Sequence, residues 1–185
     1  RSQKQQLRAI HINHKISKNA DAMQKHCVDI CNNLKINLLT KEINDVANSN
    51  IEENLRNKRY DLIFQSMYDD EALLLGHHNN DQIETFLYRL FRGSSPLGLS
   101  CMDKISKRGS NTICRPFLSI SKDSIKSIAK YLKIKFIDDA SNNDLNYDRN
   151  YIRKKIIPNI MKRWGSFNNI MDHNISLQSD YSKLV

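Results

Sequence analysis

No apolar run in the 185 residues reaches the length of a membrane-spanning helix, and no signal-peptide pattern is recognisable, so neither a membrane anchor nor an export signal is expected. The four cysteines form neither a disulfide ladder nor a paired C-x-x-C zinc pattern. Cys27 and Cys31 instead fall on the apolar stripe Met23, Cys27, Ile30, Cys31 and Leu34, where they read as small buried hydrophobes in a reducing, cytoplasmic compartment. Internal repeats and low-complexity linkers are absent, which excludes a repeat array. Only five glycines occur, at 76, 93, 98, 109 and 165, and no two are adjacent, so a glycine-pair phosphate loop is not among these residues.

What is present suits one moderate domain with a helical extension, since 26% of the chain is charged and the length is enough for a real core. Twenty-nine basic against 20 acidic residues leave a formal charge of +9. That balance favours an anionic partner, nucleic acid before membrane, because no basic amphipathic anchor stands out. The chain begins with Arg1 and not methionine, so a longer product is expected.

The most informative stretch runs from Leu73 to Gly93. Leu73 to Leu75 form a short apolar run closed by Gly76, which reads as a buried strand. From Ile83 the period changes: Ile83, Phe86, Leu87, Leu90 and Phe91 share one helical face, and Gly93 stops the helix. His77, His78, Asn79, Asn80, Asp81 and Glu84 sit at the junction, where the carboxyl ends of parallel strands face a ligand crevice. Asp81 and Glu84 also read as a helix N-cap and its capping box. A metal shared by His77 and His78 is disfavoured, because adjacent strand residues point to opposite sides.

Around this centre the pattern alternates. Leu7 to Ile12 predicts a strand with His11, Asn13 and His14 at its carboxyl end, followed by a helix capped by Asn19. Ile36 to Ile43 is β-prone, and Ser49 with Glu52 opens a helix to about Tyr68 that carries Arg56 and Arg59 on one face. A strand, helix, strand, helix order predicts a parallel sheet covered on both faces. Downstream, Ser94 to Leu99 reads as a loop, Ile105 to Leu118 as a hairpin about Arg108 to Asn111, and Ser121 as the cap of a helix with Ile125, Ile128, Ala129 and Leu132 inward. Asp138 to Pro158 is rich in Asn, Asp and Arg. There Arg149, Arg153, Lys154 and Lys155, interleaved with Tyr147 and Tyr151, suit RNA backbone contact and base stacking, or else a solvated basic helix start.

The stretch GHHNNDQIETFLYRLFRGSSPLGLSCM resembles the central signature of the tRNA(Ile)-lysidine synthetase family, a branch of the PP-loop ATP pyrophosphatases. The resemblance continues in order through Arg115 to Leu132 and Ile134 to Pro158. It implies a Rossmann-like, adenine nucleotide α-hydrolase-like α/β fold, with residues 1–158 as catalytic domain and 159–185 as a helical link toward a further domain. It also implies ligation of lysine to C2 of the wobble cytidine of tRNA(Ile) with a CAU anticodon, through an adenylated cytidine, using ATP and Mg2+. Asp81, His78, Arg149 and Arg153 are then the expected catalytic residues, with Asp81 also on the metal. His11, Asn13, His14 and His77 are expected at the nucleotide, and Arg56, Arg59, Tyr147, Lys154 and Lys155 at the tRNA. A homodimer is one assembly left open.

The family's Ser-Gly-Gly-x-Asp-Ser loop is not in these residues, so this chain by itself is expected to be inactive. Two other readings stand beside the first: a tRNA thiolase of the same fold, and a non-enzymatic basic RNA-binding module.

Overall fold

The computed structural model describes residues 7–15, 19–43 and 51–184. It divides into two compact units, one of residues up to 68 together with 136–141, the other of 69–135 and 142 onward.

In the first unit the alternating pattern gives β1 (Arg8–Asn13), α1 (Ala20–Leu34), β2 (Asn37–Glu42) and α2 (Ile51–Gln65). β1 and β2 pair in parallel from Arg8 opposite Asn37 to Asn13 opposite Glu42, which requires a crossover that α1 supplies. Asn19 precedes α1 without a side-chain capping bond, and the helix ends at Lys35, held at φ 55°. The chain then turns back through hydrogen bonds from Lys35 and Ile36 to Asn32 and Cys31. The expected Ser49 and Glu52 cap lies outside the residues whose side chains are described. α2 stops at Gln65, three residues short of Tyr68, where the Ser66 hydroxyl bonds the Leu62 carbonyl.

The second unit contains β3 (Ala72–Leu74), α3 (Asn79–Phe91), α4 (Pro96–Leu99), β4 (Ile105–Arg108), β5 (Asn111–Cys114) and α5 (Lys122–Tyr131). A 3-10 turn, Ala140–Asn143, is followed by α6 (Asp148–Tyr151), a π-helical stretch Ile152–Ile156, α7 (Ile157–Arg163) and α8 (Phe167–Leu184). β3 runs parallel to β5, and β4 pairs antiparallel with β5 across a two-residue loop. Gly109 opens that loop at φ 62°, a left-handed conformation that costs glycine nothing. The protein is thus α/β with parallel strands and helices, as expected. Among the described residues its strands form two sheets, β1-β2 and β3-β5-β4, and β4 runs against the parallel direction.

Helix ends follow the local chemistry. α3 closes in a Schellman turn, with Ser94 N–H on the Arg89 carbonyl and Gly93 N–H on that of Leu90, and Gly93 takes φ 71°. The stretch read as a loop after it holds the short α4, because Pro96 is preset for a first helical turn and Ser95 Oγ accepts the Gly98 N–H. Ser121 caps α5 as expected, its hydroxyl accepting the Ser124 N–H at 3.1 Å. The core of this unit joins Ile83 and Leu87 of α3 to Ile152 and Met171, with Phe86, Tyr88, Ile156, Ile157 and Phe167 packed around them. The inward stripe expected on α5 is not buried: Ile128 and Leu132 are both more than half exposed. Leu90 and Phe91, at the end of the α3 stripe, are likewise exposed.

Candidate active site

α3 begins earlier than its apolar period indicates. His78, in extended conformation, is the residue before the helix, so Asp81 is the third helical residue and not the cap. Asp81 Oδ2 accepts the His78 backbone N–H at 2.9 Å, satisfying a donor that the helix leaves open. The same oxygen lies 3.3 Å from His78 Nδ1. Asp81 therefore acts as the carboxylate half of a capping box, and Glu84 takes no part in one.

Glu84 does something else. It is 2% exposed, yet its two oxygens are held by Arg153, Nε to Oε1 at 2.6 Å and Nη2 to Oε2 at 2.7 Å. This parallel, charge-assisted pair satisfies the buried carboxylate and fixes the guanidinium plane. Arg153 Nη2 also stands 3.7 Å from Asp81 Oδ1. Hydrogen bonding to Glu84 raises the Arg153 pKa above its ordinary value against the lowering effect of burial, and the Glu84 and Asp81 charges add to the rise. Two carboxylates and one guanidinium leave a net negative charge, with Asp81 the more exposed carboxylate. The π-helical stretch places Ile152 in the core and Arg153 on Glu84.

The remaining expected residues divide by unit. Arg149 lies over the Tyr88 ring, 5.4 Å from its centroid. Lys154 bonds the Asn143 side chain, Lys155 is exposed, and Tyr147 and Tyr151 are both exposed. His77 is half-buried after β3. In the first unit, Asn13 is 2% exposed and uses its whole amide internally: Nδ2 donates to Asp21 and Gln24 at 3.0 and 2.9 Å, while Oδ1 accepts Lys15 N–H at 2.9 Å. His14 is half-buried at the strand end. The buried His11 Nε2 has no hydrogen-bond partner, and burial lowers the imidazole pKa, helped by the charges of Arg59 and His14. Arg59 and Arg56 are exposed on α2, Arg56 lying over Tyr60 at 5.6 Å.

Three side chains not singled out in the sequence strap the segment after α4. Gln82 bonds both backbone groups of Met102, Arg89 reaches the Gly98 and Cys101 carbonyls, and Arg115 holds the Asp103 carbonyl. Together they keep Cys101 at φ 63°, an unfavourable conformation for a residue with a Cβ. Beside this segment lies a cleft of about 470 Å³, lined by Asn79, Gln82, Met102, Asp103 and Asp172 among others; neither Asp81 nor Arg153 lines it. A helical wheel does carry a signal for Glu84, a carboxylate at the edge of the apolar arc beside Leu87 and Phe91, but it does not name Arg153.

A strand-to-helix mouth with an oriented carboxylate, on parallel α/β architecture, agrees with the match of residues 1–160 to the PP-loop domain family; the chain belongs to that family. Among curated proteins it is similar to tRNA(Ile)-lysidine synthases. It is 45% identical over 161 residues to that of Buchnera aphidicola subsp. Schizaphis graminum, covering 87% of this chain and 36% of that protein. With that of Legionella pneumophila (strain Paris) the identity is 40% over 159 residues, 86% of this chain and 37% of the relative. With that of Wigglesworthia glossinidia brevipalpis it is 39% over 182 residues, 97% and 45%. The chain spans less than half the length of each of these relatives. In fold it is similar to the U34-tRNA thiolase NcsA from Methanococcus maripaludis with its 4Fe-4S cluster, at TM-score 0.68 and 14% identity, covering 92% of this chain and 60% of that one. No helix of the described residues is long and apolar enough to cross a membrane.

Proposed function

We propose that this chain forms part of an enzyme that ligates lysine to C2 of the wobble cytidine of tRNA(Ile), with ATP as the activating substrate. The observation that carries the reading is the Asp81 carboxylate, oriented from one side by the His78 N–H and flanked on the other by an Arg153 locked onto Glu84. The similarity to tRNA(Ile)-lysidine synthases supports the same choice of substrate.

Activation consumes the α-phosphate of ATP: cytidine O2 attacks it, pyrophosphate leaves, and AMP remains on the base. A lysine amine then displaces AMP from C2 and must shed a proton as it does so. Asp81 is the group suited to hold the incoming ammonium and receive that proton, because its charge is exposed enough to be reached and is held in place by the His78 N–H. Arg153 acts as a positioning residue. Its Nε and Nη2 serve Glu84, so it steers Asp81 more than it neutralises a phosphate. Arg149, resting on Tyr88, is the better placed cation for phosphate charge.

Magnesium fits only in a limited way. Among the described residues no group of three or more His, Cys, Asp or Glu could hold a metal, and both Glu84 oxygens are taken. Asp81 is the carboxylate at this mouth that would help hold the ion, which would supply neutralisation of the triphosphate charge.

The test is a chimera in which this chain replaces the matching residues of the Buchnera synthase, assayed with ATP, labelled lysine and a tRNA(Ile) transcript bearing CAU. Lysine incorporation at the wobble cytidine is expected. A folded chimera that binds the transcript and incorporates none would overturn the proposal.

A further inference from the structure

The last turn of α3 leaves the core and carries Arg92 into solvent. Its guanidinium lies 5.2 Å from the Tyr88 ring centroid and donates from Nη1 to the Tyr88 hydroxyl. Arg149, from α6, lies 5.4 Å from the same centroid. One ring therefore carries two cations. Cation–π attraction holds each of them beside that ring, which concentrates positive charge at one tyrosine-bearing spot and favours an anion there.

The contrast with Arg153 decides what this cluster is for. Arg153 is paired with Glu84 and lies near Asp81, so most of its charge is spent inside the protein. Arg92 pairs with no carboxylate among the described residues; its side-chain partners are the ring and hydroxyl of Tyr88. A role confined to complementing the α3 dipole would need Arg92 alone and gives no reason to bring Arg149 to the same ring.

We propose that Arg92, Arg149 and Tyr88 form a binding site for the phosphodiester backbone of RNA, an assignment that rests on the RNA-substrate reading given above. The stacked guanidinium is planar and already restricted in its rotamers, so it loses less entropy when its remaining N–H groups meet phosphate oxygens. Tyr147, Tyr151, Lys154 and Lys155, on the same or the following turn as Arg149, are also exposed. Arg92 is the residue whose charge is committed to the ligand.

The experiment measures affinity of the 185-residue chain for a tRNA transcript at several salt concentrations. Arg92→Ala is expected to weaken binding about fivefold near 0.1 M salt and to reduce the salt slope by close to one unit, the signature of one lost phosphate contact. Arg92→Lys keeps the charge and is expected to retain the slope with intermediate affinity. Tyr88→Phe keeps the stacking face and is expected to retain the slope as well. Because Arg92 is exposed, its alanine variant should melt within about 2 °C of the unaltered chain, which separates binding from folding. If the unaltered chain binds and Arg92→Ala changes neither affinity nor slope, the site is refuted and the RNA reading stands. Weaker binding with an unchanged slope also refutes a phosphate contact. A chain that binds no RNA at any salt concentration refutes both.

Discussion

Arg153 grips Glu84 through two parallel hydrogen bonds, 2.6 and 2.7 Å long, between residues 69 positions apart. The two partners are unequal, since the Glu84 side chain is 3% exposed and that of Arg153 28%. Arg153→Ala should therefore be the costlier change, because it strands a buried carboxylate: about 3 kcal/mol, or roughly 6–12 °C in melting temperature. Glu84→Ala leaves a guanidinium that water can reach, and roughly half that loss is expected. Thermal unfolding of both variants checks the order. Equal losses would mean that the pair is solvated alike on both sides.

Asp81 allows fold and chemistry to be separated. Asparagine still offers an oxygen to the His78 N–H, so the start of α3 survives in Asp81→Asn, but the charge is lost. In the chimeric synthase this variant should melt within a few degrees of its parent and lose at least about a hundredfold in lysidine formation, near 3 kcal/mol of transition-state stabilisation. Turnover close to the parent's would reduce Asp81 to a helix-start residue.

His11 gives the chain a pH dependence with a definite sign. Its pKa in the folded state lies below the ordinary 6.5, first because of burial and then because of Arg59 and His14. The unfolded chain therefore takes up this proton more readily than the folded one. The stabilising contribution is complete above about pH 6.5 and is lost as pH falls from there toward and through the folded-state pKa. Melting temperatures of the unaltered chain and of His11→Gln, compared at pH 7.5 and 5.5, should show the larger acid-side drop in the unaltered chain. An NMR titration midpoint for His11 at or above 6.5 would contradict this account.

Much of the architecture could be read directly. The change of period at Ile83, the polar junction before it, the Arg108 to Asn111 turn and the Ser121 cap all rest on neighbours within a few residues, and such local signals survive folding. The start of α3 was less legible, because Asn79 and Asn80 add nothing to an apolar period although they are helical. Asn80 instead accepts the Lys122 N–H, a contact 42 positions away in sequence. The stripe on α5 shows the opposite failure, since periodicity marks a face but does not supply a neighbour to cover it.

At the site itself, the sequence by itself determined which chemical groups are available: two histidines and two carboxylates at a strand end, and a basic, tyrosine-bearing segment some 70 residues on. Only tertiary structure decided how they are spent. Glu84 and Arg153 looked like a cap and a phosphate ligand, and they bind each other. Arg92, which the sequence did not single out, shares a ring with Arg149 and pairs with no carboxylate among the described residues. The reason is the range of the forces involved. Turn propensities and apolar periods act between residues close in the chain, whereas burying a charge demands a partner close in space, and which partner arrives depends on how the whole unit packs.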